Sequence, residues 1–222
     1  MSHEIIPQNL AIKARRDSGY RDTTHALAEL IDNSVQAGDL VNTETIVEVL
    51  CVDRESLVSQ RRRRHIEAIA VYDNACGMDT ATLRLALQFG NGMHLAADHQ
   101  KGIGKFGMGL PNSSISQCCK VQVWSWQKNK CLFSHLDVEQ ILSGKMVEVP
   151  DPQPATIPKE WTTLIKDPIG EHGTLVVWTE LDRVRFRSSK ALLENAEFLV
   201  GRMYCQRAVK TSHEWANQTQ PF

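Results

Sequence analysis

The chain lacks most of the features that place a protein quickly. Lysine and arginine total 25 against 26 aspartates and glutamates, a formal net charge of −1. That balance excludes a surface that is a cation throughout for nucleic acid and leaves only local basic patches. No apolar run approaches the roughly 20 residues that span a bilayer. The opening MSHEIIPQNLAIKARR has no apolar signal core, so export is not expected; a cytoplasmic location, or a nuclear one in a eukaryote, is. The six cysteines (51, 76, 118, 119, 131 and 205) form no Cys-x-x-Cys pair, which leaves a thiolate metal site without support. Reduced and mostly buried thiols are expected instead. The eight histidines (3, 25, 65, 94, 99, 135, 172 and 213) include no helical pair of metal-ligand spacing. Internal repeats and low-complexity tracts are also missing.

What is present is an ordinary globular composition. The chain has 222 residues, 42% hydrophobic and 23% charged, enough for one large domain or two small ones. The apolar spacing predicts a helix over Thr23 to Ala37, with Leu27, Leu30, Ile31, Ser34 and Val35 on one face and Gly38 as the stop. Glu29, Asn33 and Gln36 share the opposite face. Strands are predicted over Thr45 to Val52 and Ile66 to Tyr72, and a helix over Thr80 to Phe89. A helix resumes around Gly107 to Cys118. Val121 to Trp126 and Cys131 to Val138 read as a hairpin around Lys128 and Asn129. Val149 to Pro168 holds five of the eight prolines and reads as a loop or surface excursion. Gly173 to Leu181 is a strand and Ser189 to Val209 a helix. Helices and strands mix without a strict βαβ rhythm, which favours a layered α/β sandwich with a mixed sheet.

Four short segments carry chemistry. In Glu29-Leu-Ile-Asp-Asn33 a carboxylate and a carboxamide stand at i and i+4 on one helix face. The carboxylate can take a proton from water, and the carboxamide oxygen suits Mg²⁺; a solvated polar face is the plainer reading. Asp73-Asn-Ala-Cys-Gly77-Met78 follows an apolar strand. Its aspartate can accept from an exocyclic amine, and its glycine permits close approach of a ligand; an ordinary strand-ending turn has the same composition. Gly102-Ile-Gly104-Lys105-Phe-Gly107-Met-Gly109 can offer several N–H groups to phosphate, with charge from Lys105 and Lys101; a flexible loop without function is the plainer reading. Gly173-Thr174 opens the last strand, where the hydroxyl can hydrogen-bond the carboxylate of Asp73; a β-branched residue at a strand start says little by itself. The formal GxGxxG at Gly102 is not a dinucleotide fingerprint, because no strand precedes it, and no Gly-Lys-Ser or Gly-Lys-Thr closes a P-loop.

In this order the four segments resemble the motifs of the GHKL nucleotide-binding superfamily: gyrase-type topoisomerases, large heat-shock chaperones, histidine kinases and MutL-type repair proteins. The resemblance covers about Thr23 to Leu181. Glu29-Leu-Ile-Asp-Asn-Ser34 and Ile103-Gly-Lys-Phe-Gly-Met-Gly-Leu110 look closest to the microrchidia (MORC) and chaperone-like ATPases. The resemblance implies the Bergerat fold, a two-layer α/β (α+β) sandwich with a mixed, mostly antiparallel sheet and helices on one face. It implies one domain over residues 1–222, with a core of about 23–181 and a C-terminal helix of about 189–209. It implies ATP as ligand, Mg²⁺ as cofactor, and slow hydrolysis that drives a conformational or dimerisation switch. Glu29 would be the general base and Asn33 the Mg²⁺ ligand, with Gln36 and Ala37 beside them. Asp73 would read the adenine amino group with support from Thr174, and Gly77 and Met78 would lie against base and ribose. Lys101, Gly104, Lys105, Phe106, Gly107, Met108, Gly109 and Leu110 would surround the triphosphate, with a lid from about Phe89 to Gly104.

Three departures qualify that reading. Ala75 replaces a glycine usual in the second motif, and Gln36 stands where many relatives carry an acid. After Val209 thirteen residues remain, so the transducer domain that brings a cation to the γ-phosphate is expected to be absent. Hydrolysis is then slow, or negligible without a protein partner or further C-terminal region that supplies the cation. A histidine-kinase-type phosphotransfer domain ranks lower, because kinases normally lack the first-motif glutamate in this setting and the fourth-motif threonine. Arg61, Arg62, Arg63 and Arg64 read either as an exposed loop before a sheet edge or as a contact for a DNA or RNA backbone. Trp124 and Trp126 share one strand face, read as core.

Overall fold

Two long hairpins and a strand threaded between them form the sheet. In the computed structural model, residues 8–17, 19–20, 22–41, 44–58, 61–89, 109–128 and 130–204 are described. The first hairpin is β1 (Val47–Val58) with β2 (Arg61–Asp73), and the second is β3 (Cys118–Gln127) with β4 (Lys130–Asp137). A two-residue β5 (Gln153–Pro154) and then β6 (His172–Leu181) follow. The spatial order is β1-β2-β6-β3-β4-β5, and every pairing among the described residues is antiparallel. The sandwich expected from the sequence forms, and no parallel pairing is present among the described residues.

Period-two alternation assigns each strand's side chains to two buried layers. Ile69 and Val71, Val121 and Val123, and Val176 and Trp178 face the helices. Those helices are α1 (Gln8–Asp17), α2 (Thr23–Gly38), α3 (Thr80–Ala86), α4 (Gly109–Ile115) and α5 (Val138–Leu142). They supply Ile12, Leu27 and Leu30, Leu83, Ile115 and Val138 to the same cluster. After α6 (Lys159–Leu164), the last helix α7 (Ser189–Tyr204) adds Leu192 and Ala196. Each large apolar side chain buried this way contributes about 1.5–3 kcal/mol.

The opposite face is buried too. Ala68, Ala70, Tyr72, Trp124, Trp126, Leu175 and Val177 pack there against Trp161 and Ile165. The proline-rich stretch therefore corrects its reading as a surface excursion: it is a strap whose Trp161, 3% exposed, completes a second core. Glu48 on β1 accepts the N–H groups of Lys166 (3.0 Å) and Asp167 (2.8 Å), and Trp126 Nε1 donates to the Gly170 carbonyl (3.1 Å), which ties the strap down at both edges.

The arginine run also departs from the loop expected of it. It forms the start of β2, pairing with Glu55 to Val58. Arg62 lies 3.8 Å from Glu55 and Arg64 3.7 Å from Asp53, so acids on β1 offset the basic charge. A register shift after Val52 leaves Glu67 unpaired in the ladder, and Arg54 meets it at 2.7 Å. Of the described cysteines, all free, Cys118 is buried and Cys51, Cys76, Cys119 and Cys131 are half-buried, so the thiols are less buried than expected.

Candidate functional site

The site grows from the start of α2. Asp22 caps this helix, accepting from the His25 N–H at 3.0 Å, the Thr24 hydroxyl at 2.6 Å and His25 Nδ1 at 2.9 Å. The apolar stripe of α2 then faces the sheet, so Glu29, Asn33, Gln36 and Ala37 come to rest half-buried along the other side. Burial raises the Glu29 pKa above the ordinary carboxylate value, and nearby Asp32 raises it further; a hydrogen bond with the Tyr20 hydroxyl acts the other way. A Cβ built on Gly109, at the start of α4, would fall on Glu29 Oε1. Leu110 follows, half-buried against the helical core. Lys101, Gly104, Lys105, Phe106, Gly107 and Met108 lie outside the described residues, as does the expected lid beyond Phe89.

One polar row crosses the sheet beneath α2. Asp73 on β2 pairs in register with Thr174 on β6, and Thr174 pairs with Ser125 on β3. Residues directly opposite in an antiparallel sheet share a face. Their neighbours Val71, Val176 and Val123 lie in the helix-side core, so the row lies on that side as well. Ser34 reaches down from α2 and its hydroxyl donates to Asp73 Oδ2 at 2.8 Å. The Ala75 N–H donates to Asp73 Oδ1 at 3.1 Å. Asp73 is 5% exposed, and burial pushes its pKa up to about 6, against hydrogen bonds from Ser34 and from the backbones of Ala75 and Thr174.

The Asp73 to Met78 turn is clamped from β3. The Met78 N–H donates to Ser125 Oγ at 2.8 Å, and Gln127 Nε2 donates to the carbonyls of Cys76 (3.1 Å) and Gly77 (3.3 Å). Gly77 has φ +64°, and a Cβ there would strike the Trp126 carbonyl. The fold thus requires this glycine before any ligand approaches. Thr174 supports Asp73 through its backbone, while its hydroxyl lies 3.0 Å from Ser125 Oγ.

Tyr20, Ser34, Ser125 and Gln127 were missed by the sequence reading. Two signals were available: Ser34 is a hydroxyl on the apolar stripe of α2, and Ser125 interrupts the apolar strand between Trp124 and Trp126. Among the described residues a groove of about 1170 Å³ runs between α1, α3 and α5, lined by Ile12, Arg15, Arg84, Leu136 and Ile141. It touches neither Glu29 nor Asp73, so its size says nothing about this site.

A buried acid bonded to α2, with a half-buried acid and carboxamide along the same helix, offers polar groups of the kind a nucleotide requires. The family described as histidine kinase-, DNA gyrase B- and HSP90-like ATPases matches residues 20–173, and the chain belongs to it. It is an ATP-binding module of the GHKL type. No curated protein matches the chain.

Members of this family generally bind ATP with Mg²⁺. The residues fit such an ion. Asn33 is half-buried one turn beyond Glu29, and its carboxamide has no hydrogen-bond partner among the described residues. Mg²⁺ commonly takes one or two protein oxygens and leaves the rest to phosphates and water. No group of three or more histidine, cysteine or acidic side chains is placed to hold a metal among the described residues. No helix of the described residues is long and apolar enough to cross a membrane.

Proposed function

We propose that this chain is a Mg²⁺-dependent ATPase module of the MORC-like kind, whose nucleotide state switches a conformation or a dimer. One observation carries the reading. Helix α2 serves both ends of the site, because Glu29 and Asn33 stand one turn apart on its half-buried side while Ser34 bonds Asp73. Asp73 would accept the adenine amino group. Glu29, its carboxylate held by Tyr20 and bounded by Gly109, would orient the attacking water and take its proton. Asn33 would hold the Mg²⁺, which neutralises charge on the phosphate oxygens when bound. Gln36 and Ala37 lie one turn further along α2, and the Gly104 to Leu110 stretch would wrap the triphosphate, as the family pattern has it.

Calorimetry and phosphate release test this together. Asp73→Asn is expected to abolish ATP binding, and Glu29→Ala to keep binding and lose turnover. Equal ATP binding by wild type and Asp73→Asn, or unchanged phosphate release by Glu29→Ala, would overturn the corresponding assignment. Light scattering with a non-hydrolysable analogue tests the dimer, and an unchanged mass argues against it.

A further inference from the structure

Gln127 is the last residue of β3, is exposed, and lies outside the four segments that carry the family resemblance. The ladder holds it on both sides, opposite Lys130 on β4 and His172 on β6. Its carboxamide nitrogen donates to two consecutive carbonyls, Cys76 at 3.1 Å and Gly77 at 3.3 Å. Chemistry fixes the direction of both bonds. A carbonyl only accepts, so the end of the carboxamide that faces two of them is the amino end, which carries two protons.

These bonds act where the chain turns most freely. Gly77 has φ +64°, and a glycine between two peptide planes lets both rotate at little steric cost. Gln127 pins the carbonyl of the plane before Gly77 and the carbonyl of the plane after it. The Met78 N–H, at the other end of the second plane, goes to Ser125. The stem of Gln127 lies along the same glycine, where a Cβ at position 77 would come within 3.2 Å of Gln127 Cγ. The turn after Asp73 is thus locked from a strand paired on both sides, and strands hold a site more precisely than loops do.

We infer that Gln127 is a positioning residue for nucleotide binding: it sets the two peptide planes around Gly77 before the nucleotide arrives. A turn that samples several arrangements binds more weakly, in proportion to the fraction already in the competent one. The side chain is exposed, so its replacement should leave the fold intact. The inference rests on the turn after Asp73 receiving the base, the reading proposed above.

ATP and ADP are titrated calorimetrically against the whole chain, and phosphate release is followed over ATP concentration. Gln127→Leu removes both donors and keeps an apolar stem. Gln127→Glu keeps the shape and turns an acceptor toward two carbonyls. Both should weaken ATP about three- to tenfold. Both should raise KM by the same factor and leave kcat near the wild-type value, because Glu29 lies on another element, α2. ADP should weaken as much as ATP, since the two share the base. Gln127→Lys, whose ammonium offers donors from a longer stem, should recover most of the affinity. Unchanged ATP affinity in Gln127→Leu and Gln127→Glu would overturn the inference. So would a loss confined to ATP, or a fall in kcat with KM unchanged. A lowered urea midpoint with no recovery in Gln127→Lys would also overturn it, because a merely structural side chain gives that pattern. If Gln127→Leu does not fold, as judged by circular dichroism, Gln127→Glu and Gln127→Lys carry the same decision, and equal affinities in those two overturn it. Variants that match a wild type able to bind ATP remove this inference alone. A wild type that binds no ATP removes the assignment of Asp73 with it.

Discussion

Gly109 abuts the Glu29 carboxylate so closely that a Cβ at position 109 would fall on Glu29 Oε1. The atoms in the way belong to the end of a flexible side chain, so the backbone need not move. Gly109→Ala should therefore fold, retain ATP and misplace the carboxylate. A shift of about 1 Å in a reacting group can cost about a hundredfold in rate. Single-turnover phosphate release should fall on that order with ATP affinity little changed; loss of both together would mean the helix start had moved instead.

Glu29 is pulled in two directions, which gives a pH test. Burial and Asp32 raise its pKa, and the Tyr20 hydroxyl lowers it. Tyr20→Phe removes the lowering contact, so the acidic limb of the kcat profile should move to higher pH. Asp32→Asn removes a raising contact and should move it to lower pH. Profiles that coincide with wild type would detach both neighbours from the carboxylate.

Asp73 makes opposite predictions for binding and for stability. Its folded pKa is raised from 3.8 to about 6. The folded state therefore holds the proton more tightly than the unfolded one. The stabilising contribution, ~3 kcal/mol at 1.36 kcal/mol per unit, is complete below the unfolded pKa near 4 and is lost as pH rises through about 6. Urea melts of wild type should show that loss, and Asp73→Asn, uncharged at every pH, should lack it. ATP affinity should run the other way, falling as the pH drops through about 6, because the protonated acid is a poorer acceptor.

The strap gives a stability prediction. Trp161 is 3% exposed and packs beside Tyr72, Trp124 and Trp126. Trp161→Ala should cost ~3–5 kcal/mol, the usual range for emptying a large aromatic site. A denaturant midpoint that hardly moves would show that the strap is not part of the cooperative core.

The sequence was legible where burial imposes a period. Helix α2 follows from Leu27, Leu30 and Ile31, and β6 from its apolar run between Gly173 and Leu181. The second hairpin follows from two such runs around Lys128, whose φ of 55° closes the turn. The Arg61–Arg64 strand was not legible, since β2 extends there beyond the residues it pairs with β6 and is held by pairing with β1 alone. Trp161 was hidden among prolines, whose local preference for turns says nothing about which core a nearby side chain enters. At the site, Glu29, Asn33 and Asp73 carried recognisable spacing. Ser34, Ser125 and Tyr20 did not, because each matters through a partner distant in the chain, such as Asp73, 39 residues from Ser34, and Thr174, 49 residues from Ser125.

Trp126 touches both layers at once. Its indole sits in the strap-side core, 6.2 Å from the Tyr72 ring and nearly parallel to it, while its carbonyl bears on Gly77 at the turn after Asp73. The main chain of one residue thus joins that turn to a chromophore on the far side of the sheet. If the turn after Asp73 takes the nucleotide as proposed, Trp126 fluorescence should report that binding with no dye and no added label.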